Sequence, residues 1–400
     1  MRIIVVGNGL AGTIFSKTVR DIDSKTEIDI FAREKYLYYP RPNLIEYMAE
    51  NLPYERLFAF PQKWYDSHRI NLHLGQPVQN IAAESNEVEL NGDVKEKYDA
   101  LLLANGAHSF LPPIKGADKK GVFTLRTLDD ALAILDFIAT RKKVTIVGGG
   151  LLGLEIARAL KSRGADVEIV EFFPRLLPRQ LDPQGAEILK NQIEAMGIKV
   201  RLGVATEELA GEGEVKGLRF KGGGELETEA VIVAAGVRPN IHLAAEAGLR
   251  VDRGIFVNEY LQTSRKNIFA AGDNVQFQDR VYGIIPAAFE QARTAASNVF
   301  ELTHTYGGTV PSNTLKVVGL DLTSIGLVNP EQEKVEELRK EIREEGIYKK
   351  IVIQGGKIVG AIWMGTRKGV KEINQIISQK MDVEEWKDSL LDENFDFSVL

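Results

Sequence analysis

The chain alternates short, fully apolar blocks with glycine-rich turns and amphipathic stretches. Residues 3–6 read Ile-Ile-Val-Val, apolar at every position, as in a strand buried on both faces of a parallel sheet. The turn Gly7-Asn-Gly9-Leu10-Ala11-Gly12 follows, and then Ile14, Phe15, Thr18 and Val19 recur at helical spacing. Residues 28–31 form a second strand pattern. The same grammar restarts at residues 144–147, continues through Gly148-Gly-Gly150-Leu151-Leu152-Gly153, and predicts a helix to about Arg163 that Gly164 ends. Residues 167–170 then read as the next strand. Two such units in one chain predict two doubly wound α/β domains.

Two further strands match each other. Residues 98–104 run apolar into Asn105-Gly106, and residues 230–235 run apolar through Ala235 into Gly236. Pro112-Pro113 and Pro239 lie just past them and read as domain crossovers. After Pro239 the pattern gives strands at 255–257 and 268–271, then Gly272-Asp273, then a helix over 286–302. The last ninety residues differ in texture. Strands are expected at 314–318, 349–353 and 357–364, and the charged run 331–345 reads as a solvated helix.

Each glycine of the repeated turn has a task in a dinucleotide cradle. The first permits the tight turn, the second lets backbone approach a pyrophosphate, and the third lets helix and strand pack closely. The helix N-terminus adds free N–H groups and partial positive charge. In the second unit Glu171 ends the strand after the helix, where a carboxylate accepts from ribose hydroxyls and repels a 2′-phosphate; this favours NADH over NADPH, with Arg175 nearby as the opposing charge. In the first unit the acid is displaced to Glu34, which has two readings: a contact to the adenosine ribose, or a solvated loop acid. Gly272-Asp273 is a third signal, an acid at a strand end aimed at the first turn and suited to a ribityl hydroxyl of FAD. Pro286 opens a helix whose next residues, Ala287, Ala288 and Phe289, bring N–H groups toward the flavin pyrimidine edge, where negative charge builds on reduction. Hydride transfer between such cofactors needs no side-chain acid or base.

Composition removes other chemistries. The chain has no Cys, which excludes disulfides, thiolate nucleophiles, iron–sulfur clusters and thiolate-ligated zinc; its five His are scattered, so no metal site is expected. The net charge of −6 argues against nucleic acid as a partner. No segment approaches the roughly 18 apolar residues of a membrane span, and the plain expectation is a cytoplasmic enzyme.

These motifs occur in an order that resembles the FAD-dependent pyridine nucleotide–disulfide oxidoreductase superfamily. The residues concerned are Gly7 to Gly12, Ala104-Asn-Gly106-Ala107, Pro112-Pro-Ile-Lys-Gly116, Gly148 to Gly153-Leu-Glu155, Ala235-Gly-Val-Arg-Pro-Asn240 and Ala271-Gly-Asp273. Residues 36–44, 170–182 and 314–319 are similar to one branch, the NADH:rubredoxin oxidoreductases and the N-terminal half of nitrite reductase large subunits. The resemblance implies a glutathione-reductase-like α/β fold with two three-layer Rossmann-like domains and a small α+β C-terminal domain against the flavin. It assigns residues 1–112 and 238–310 to FAD, 113–237 to NAD(P)H and 311–400 to the C-terminal domain. It also implies that Arg41, Pro42, Val78 and Arg126 line the FAD site and that Glu155 sits near the nicotinamide–flavin contact. Glu46 falls where related ferredoxin reductases carry Lys near flavin N5, so Glu155 and Glu46 are the two candidates for a catalytic role.

The departure from the family is the missing Cys near residues 39–44, which disulfide and peroxide reductases of this type need. Electrons must then leave from the flavin edge, and the expected function is an FAD-dependent NADH oxidoreductase feeding a small one-electron carrier such as rubredoxin. Such carriers are acidic, and Arg367, Lys368 and Lys371 are candidates for a basic docking face. The alternatives are a peroxide-forming NADH oxidase using dioxygen, an electron-input subunit of a larger oxidoreductase, and a redox-sensing flavoprotein. Trp363 either covers the flavin or packs in the core.

Overall fold

A computed structural model of the chain describes residues 1–310, 312–317, 319–330, 334–392 and 395. It divides into two compact units. The first comprises Met1–Tyr47, Asn51–Phe110 and Val237–Thr309. Its centre is a parallel sheet in the order Ile268–Ala270, Ala100–Leu103, Arg2–Val6, Glu27–Ala32 and Asn71–Leu74. Strand Ala100–Leu103 is buried at every position, as its unbroken apolar run requires. The helices Leu10–Ile22 and Ile285–Val299 pack on each other, and Phe15, Val19, Ala288, Ala292 and Ala295 enter one core with the sheet.

The second unit holds Leu111–Gly236 with Met48–Glu50 and the chain from Val310 onward. Its parallel sheet runs Lys199–Leu202, Asp166–Glu171, Lys143–Val147, Ala230–Val233 and Val122–Phe123. The duplication seen in the sequence extends further than its motifs. Each unit inserts a three-stranded antiparallel meander just before the strand that flanks its glycine-turn strand: Asn80–Ala82, Glu87–Glu89 and Lys95–Lys97 in one, Thr206–Ala210, Gly217–Phe220 and Glu225–Glu227 in the other. These strands are only three to five residues long, too short for a periodic signal to emerge.

A five-stranded antiparallel sheet forms the C-terminal part of the second unit, in the order Ser312–Val317, Leu320–Gly326, Lys357–Met364, Ile347–Gln354 and Glu336–Ile342. Helix Val370–Gln379 covers it through Ile373 and Ile376. Of the strand expected at 314–318, Val318 lies outside the described residues; the same holds for 331–333 of the charged run. The rest of that run is not a helix. Glu336–Ile342 is a strand paired in register with Ile347–Gln354, and a single 3₁₀ turn, Arg343–Glu345, leads into Gly346 at φ +65°. Its partner strand is buried from Tyr348 to Ile353, so pairing overrides the helical tendency of the acids and bases. Alternate charges fall on one face and find polar partners there: Lys350 meets Glu337 at 2.8 Å, and Gln184 donates to Glu341 at 2.7 Å. Trp363 is core: it packs with Ile351 and Ile373, and its indole N–H donates to Lys368 O at 2.9 Å.

The sheet is fastened to the preceding helix by a buried polar cluster. Asp182 caps helix Pro183–Ala195, accepting from Gly185 N–H at 3.0 Å. The same carboxylate accepts from Tyr348 Oη at 2.7 Å and Arg339 Nε at 3.3 Å, with Lys350 Nζ at 3.4 Å. Asp182 and Lys350 are both almost fully buried. Burial pushes the Asp182 carboxyl up, but Gly185 N–H, Tyr348, Lys350 and Arg339 together hold it below its ordinary value. Such a group contributes stability that is full above about pH 4 and is lost as pH falls through its lowered value. Asp182→Asn leaves Lys350 short of a buried counter-charge and is expected to cost about 3 kcal/mol at neutral pH. Thermal unfolding of the variant and the parent should converge below about pH 4; a constant gap across pH would refute the assignment.

Candidate functional site

The two glycine turns close in the same way. Gly7 N–H donates to Phe31 O and Gly148 N–H to Val170 O, both at 2.8 Å. A Cβ on Gly12 would lie 2.0 Å from Gly7 O, and one on Gly153 equally far from Gly148 O. No side chain fits at either point, because the helix start is drawn onto the turn. The middle glycines, Gly9 and Gly150, face open space, and a methyl group on either would meet nothing within 4 Å. Each turn is therefore packed tightly behind and clear in front, the shape a pyrophosphate needs at a helix N-terminus. Leu10 and Ala11 open helix Leu10–Ile22, and Leu151 and Leu152 open Leu151–Ser162. Neither helix carries a side-chain cap.

Around the first turn the structure gathers several of the expected residues. Ala104 N–H donates to Val6 O at 2.9 Å, and Ala104 O would lie 2.4 Å from a Cβ on Gly7. Gly272 lies against Ala11, where a Cβ would come 3.2 Å from the Ala11 methyl, so Gly272-Asp273 reaches the helix start. Its N–H donates to Gln291 Oε1 at 2.9 Å. Three buried polar atoms in this region have no protein partner: Asn8 Nδ2, Asn274 Oδ1 and Gln291 Nε2. Buried polar groups seldom stay unpaired, so the set fits a polar ligand lying on the turn.

Asn105 does more than tolerate a turn; the left-handed residue is its neighbour Gly106, at φ +65°. Asn105 accepts from Asn274 at 2.8 Å and donates to Asn240 O at 3.1 Å, and Asn240 returns a bond to Asn105 O at 2.6 Å. These asparagines tie the turn to two segments more than 130 residues away. Asn240 closes the motif that begins at Ala235, but no sequence pattern marks Asn274 or Gln291, since each is a lone polar residue whose partner is distant.

The equivalence of Phe31 and Val170 makes Ala32 the counterpart of Glu171, and Glu34 lies two residues beyond. Glu34 is not a solvated loop acid. Arg41 Nη2 meets it at 2.5 Å, and the Tyr39 hydroxyl donates to it as well. Burial acts against the Arg41 charge, but Glu34 and Tyr39 outweigh it and hold the guanidinium above its ordinary value. Pro42 leads into the short helix Asn43–Met48, where Glu46 accepts from Asn51 at 2.9 Å. Val78 is buried in the first unit's core. Helix Ile285–Val299 has Pro286 in its first turn, with Ala287 and Ala288 buried and Phe289 half-buried. Ala288 N–H already bonds Ile284 O at 3.1 Å, so the open donors precede it.

In the second unit Glu171 is buried and accepts from Gly149 N–H at 2.5 Å and Phe173 N–H at 2.8 Å. Ala235 and Gly236 end the facing strand segment, and Gly236 has φ +101°. Glu155 pairs with Arg158 at 2.9 Å one turn along its helix. Arg126 belongs to this unit, and its N–H donates to Asp130 at 2.9 Å, just before the capping box of Leu128–Ile138. Arg175 donates to Pro178 O at 3.2 Å, and its Nε is buried without a partner. Beside Glu171 stand Phe172 and Phe173, two exposed rings in edge contact within the stretch 170–182. Among the described residues no cluster of His, Asp and Glu is placed to hold a metal, and no helix is long and apolar enough to cross a membrane.

The chain is similar to known proteins along its full length. Residues 311–381 match the rubredoxin NAD+ reductase C-terminal domain. A nitrite reductase [NAD(P)H] of Bacillus subtilis is 36% identical over 386 residues, which are 96% of this chain and 48% of that protein. The chain thus spans about half the length of the nitrite reductases it matches. An NADH oxidase of Methanocaldococcus jannaschii is 36% identical over 343 residues, covering 82% of this chain and 76% of that one. The crystal structure of NADH:rubredoxin oxidoreductase from Clostridium acetobutylicum superposes with a TM-score of 0.82 at 29% identity, covering 96% of each chain. With its duplicated nucleotide turns, and with residues 1–297 matching the family model, the chain belongs to the pyridine nucleotide-disulphide oxidoreductase family, whose cofactors are FAD and NAD(P)H.

Proposed function

We propose that the first turn holds FAD, that the second holds NADH in preference to NADPH, and that electrons leave to a small one-electron carrier protein of the rubredoxin type. The observation that carries this reading is the pair of matching turns in a chain without a single cysteine. With no thiol pair to relay electrons, they must pass from cofactor to acceptor directly. The bound cofactors supply hydride acceptance and one-at-a-time electron release. The protein's own part is to bind, orient and stabilise charge. Asp273, next to the Gly272 that lies on Ala11, suits a ribityl hydroxyl, and the Glu34–Arg41 pair suits the adenosine ribose. The start of Ile285–Val299 turns its positive end toward the charge that builds on reduction. Glu171, fixed by two backbone donors, accepts from ribose hydroxyls and repels a 2′-phosphate. Glu155 serves the nicotinamide side, and Glu46 replaces a cation found in ferredoxin reductases.

For the carrier, the C-terminal sheet offers Lys368 and Lys371 as exposed cations near Arg367, which is paired with Asp321 at 2.8 Å. A locally basic corner on a chain of net charge −6 suits an acidic partner. A second reading is favoured by the length of the nitrite reductases: the chain would be the electron-input portion of a larger oxidoreductase. The oxidase similarity adds dioxygen as an acceptor. A cytoplasmic location fits all of these. Turnover with rubredoxin against turnover with dioxygen at equal NADH separates the readings.

The two cradles can be disabled separately. Gly12→Ala should give a colourless protein that still binds ADP-ribose, whereas Gly153→Ala should stay yellow yet resist bleaching by NADH. The reverse result would exchange the assignments. Glu171→Gln should shrink the NADH-over-NADPH preference in kcat/KM by about tenfold; an unchanged ratio would remove Glu171 from specificity. Turnover with an acidic carrier should fall between about 10 mM and about 300 mM salt. Lys368→Glu with Lys371→Glu should raise the KM for that carrier and leave ferricyanide reduction alone. Salt-independent rates would count against a charged docking face.

A further inference from the structure

The segment from Glu171 to Asp182 braces the second glycine turn from behind. A Cβ on Gly149 would lie 2.6 Å from Leu176 Cδ2, so Leu176 packs directly on the turn. Leu177 N–H bonds Gly149 O at 3.2 Å, and Leu177 holds φ +46°, a left-handed conformation that a leucine adopts only when its surroundings impose it. Gly149 N–H then donates to Glu171. Residues 176 and 177 therefore support, from behind, the Gly149 peptide whose N–H the acid accepts.

Residues of the C-terminal sheet and its adjoining loop hold that segment. Asn329 Nδ2 donates to two of its carbonyls, Pro178 O at 3.2 Å and Leu181 O at 3.0 Å. Tyr348 and Lys350 grip Asp182 one residue further. Leu176, Leu177 and Leu181 are fully buried, so the segment cannot shift without moving its anchors. The path from Asn329 to Glu171 runs through bonded or packed atoms at every step. It joins residues about 150 positions apart within one compact unit.

We infer that Asn329, supported by Tyr348 and Lys350, is a positioning residue for the pyridine nucleotide: the C-terminal region sets nucleotide affinity by fixing the loop that follows Glu171 and braces the second turn. This rests on the second turn being the NADH cradle. A simple staple would alter stability alone, whereas a positioning device alters affinity without altering the chemical step. The test uses the FAD-loaded full chain. ADP-ribose binding is measured by calorimetry, KM for NADH and kcat by ferricyanide reduction, and the midpoint of thermal unfolding on the same samples. Asn329→Ala should raise the ADP-ribose Kd and the NADH KM together by about tenfold, with kcat and the flavin spectrum unchanged. Tyr348→Phe should move both in the same direction by a smaller factor, and it decides the question if Asn329→Ala does not fold. Ile351→Val, a core change in the same sheet away from the loop, should lower the unfolding midpoint and leave Kd unchanged. An unaltered Kd in the foldable clamp variant, or an equal shift in Ile351→Val, overturns the inference. Failure of the parent protein to bind ADP-ribose overturns the cradle assignment itself, and is distinguishable because no variant is needed to see it.

Discussion

The molecule depends on one steric fact repeated twice: a helix start lies so close to the preceding turn that only a hydrogen atom fits between them. At Gly12 and Gly153 the turn's own carbonyl occupies the place of a side chain. That contact draws the helix N-terminus over the end of the central strand, leaves Gly9 and Gly150 open in front, and leaves backbone donors at the same place in both units. Everything placed around the turns presupposes it, from Gly272 lying on Ala11 to Glu171 bonding Gly149. The electrostatic gain of a helix end toward an anion is modest on its own, about 0.3–1 kcal/mol at an exposed site. Its use here comes from geometry that cannot be reached with any other residue.

What the sequence made legible follows from this. A constraint satisfied only by glycine leaves glycine at fixed spacing, so both turns and both preceding strands could be read directly. Glu171 could be placed because it closes the strand pattern that begins at Val167, 18 residues past Gly153. The setting of Glu34 could not, because it depends on a bend after Ala32 and on Arg41, which no local pattern reports. Asn105 and Asn240 stand in motifs that could be read, but the bonds that join them to each other and to Asn274 could not: hydrogen bonds between single polar residues across 130 or more positions have no period.

The charged run shows the opposite failure. Glu336 to Ile342 looks like a solvated helix by composition, yet it is a strand, because its partner strand is buried and demands a pairing edge. Its charges then serve the fold: Glu337 and Arg339 surround Lys350 and Asp182. Local preference of a few tenths of a kcal/mol per residue is small beside the burial of a strand such as Ile347–Gln354. Through Arg339 the same segment also reaches Asp182, at the end of the loop that follows Glu171.

Trp363 has a use that its burial conceals. Its indole N–H is tied to the carbonyl of Lys368, at the corner where the exposed cations stand. The exposed corner and the core are thus joined by one hydrogen bond, and any shift of the main chain at Lys368 would break a bond made by a residue buried in the sheet.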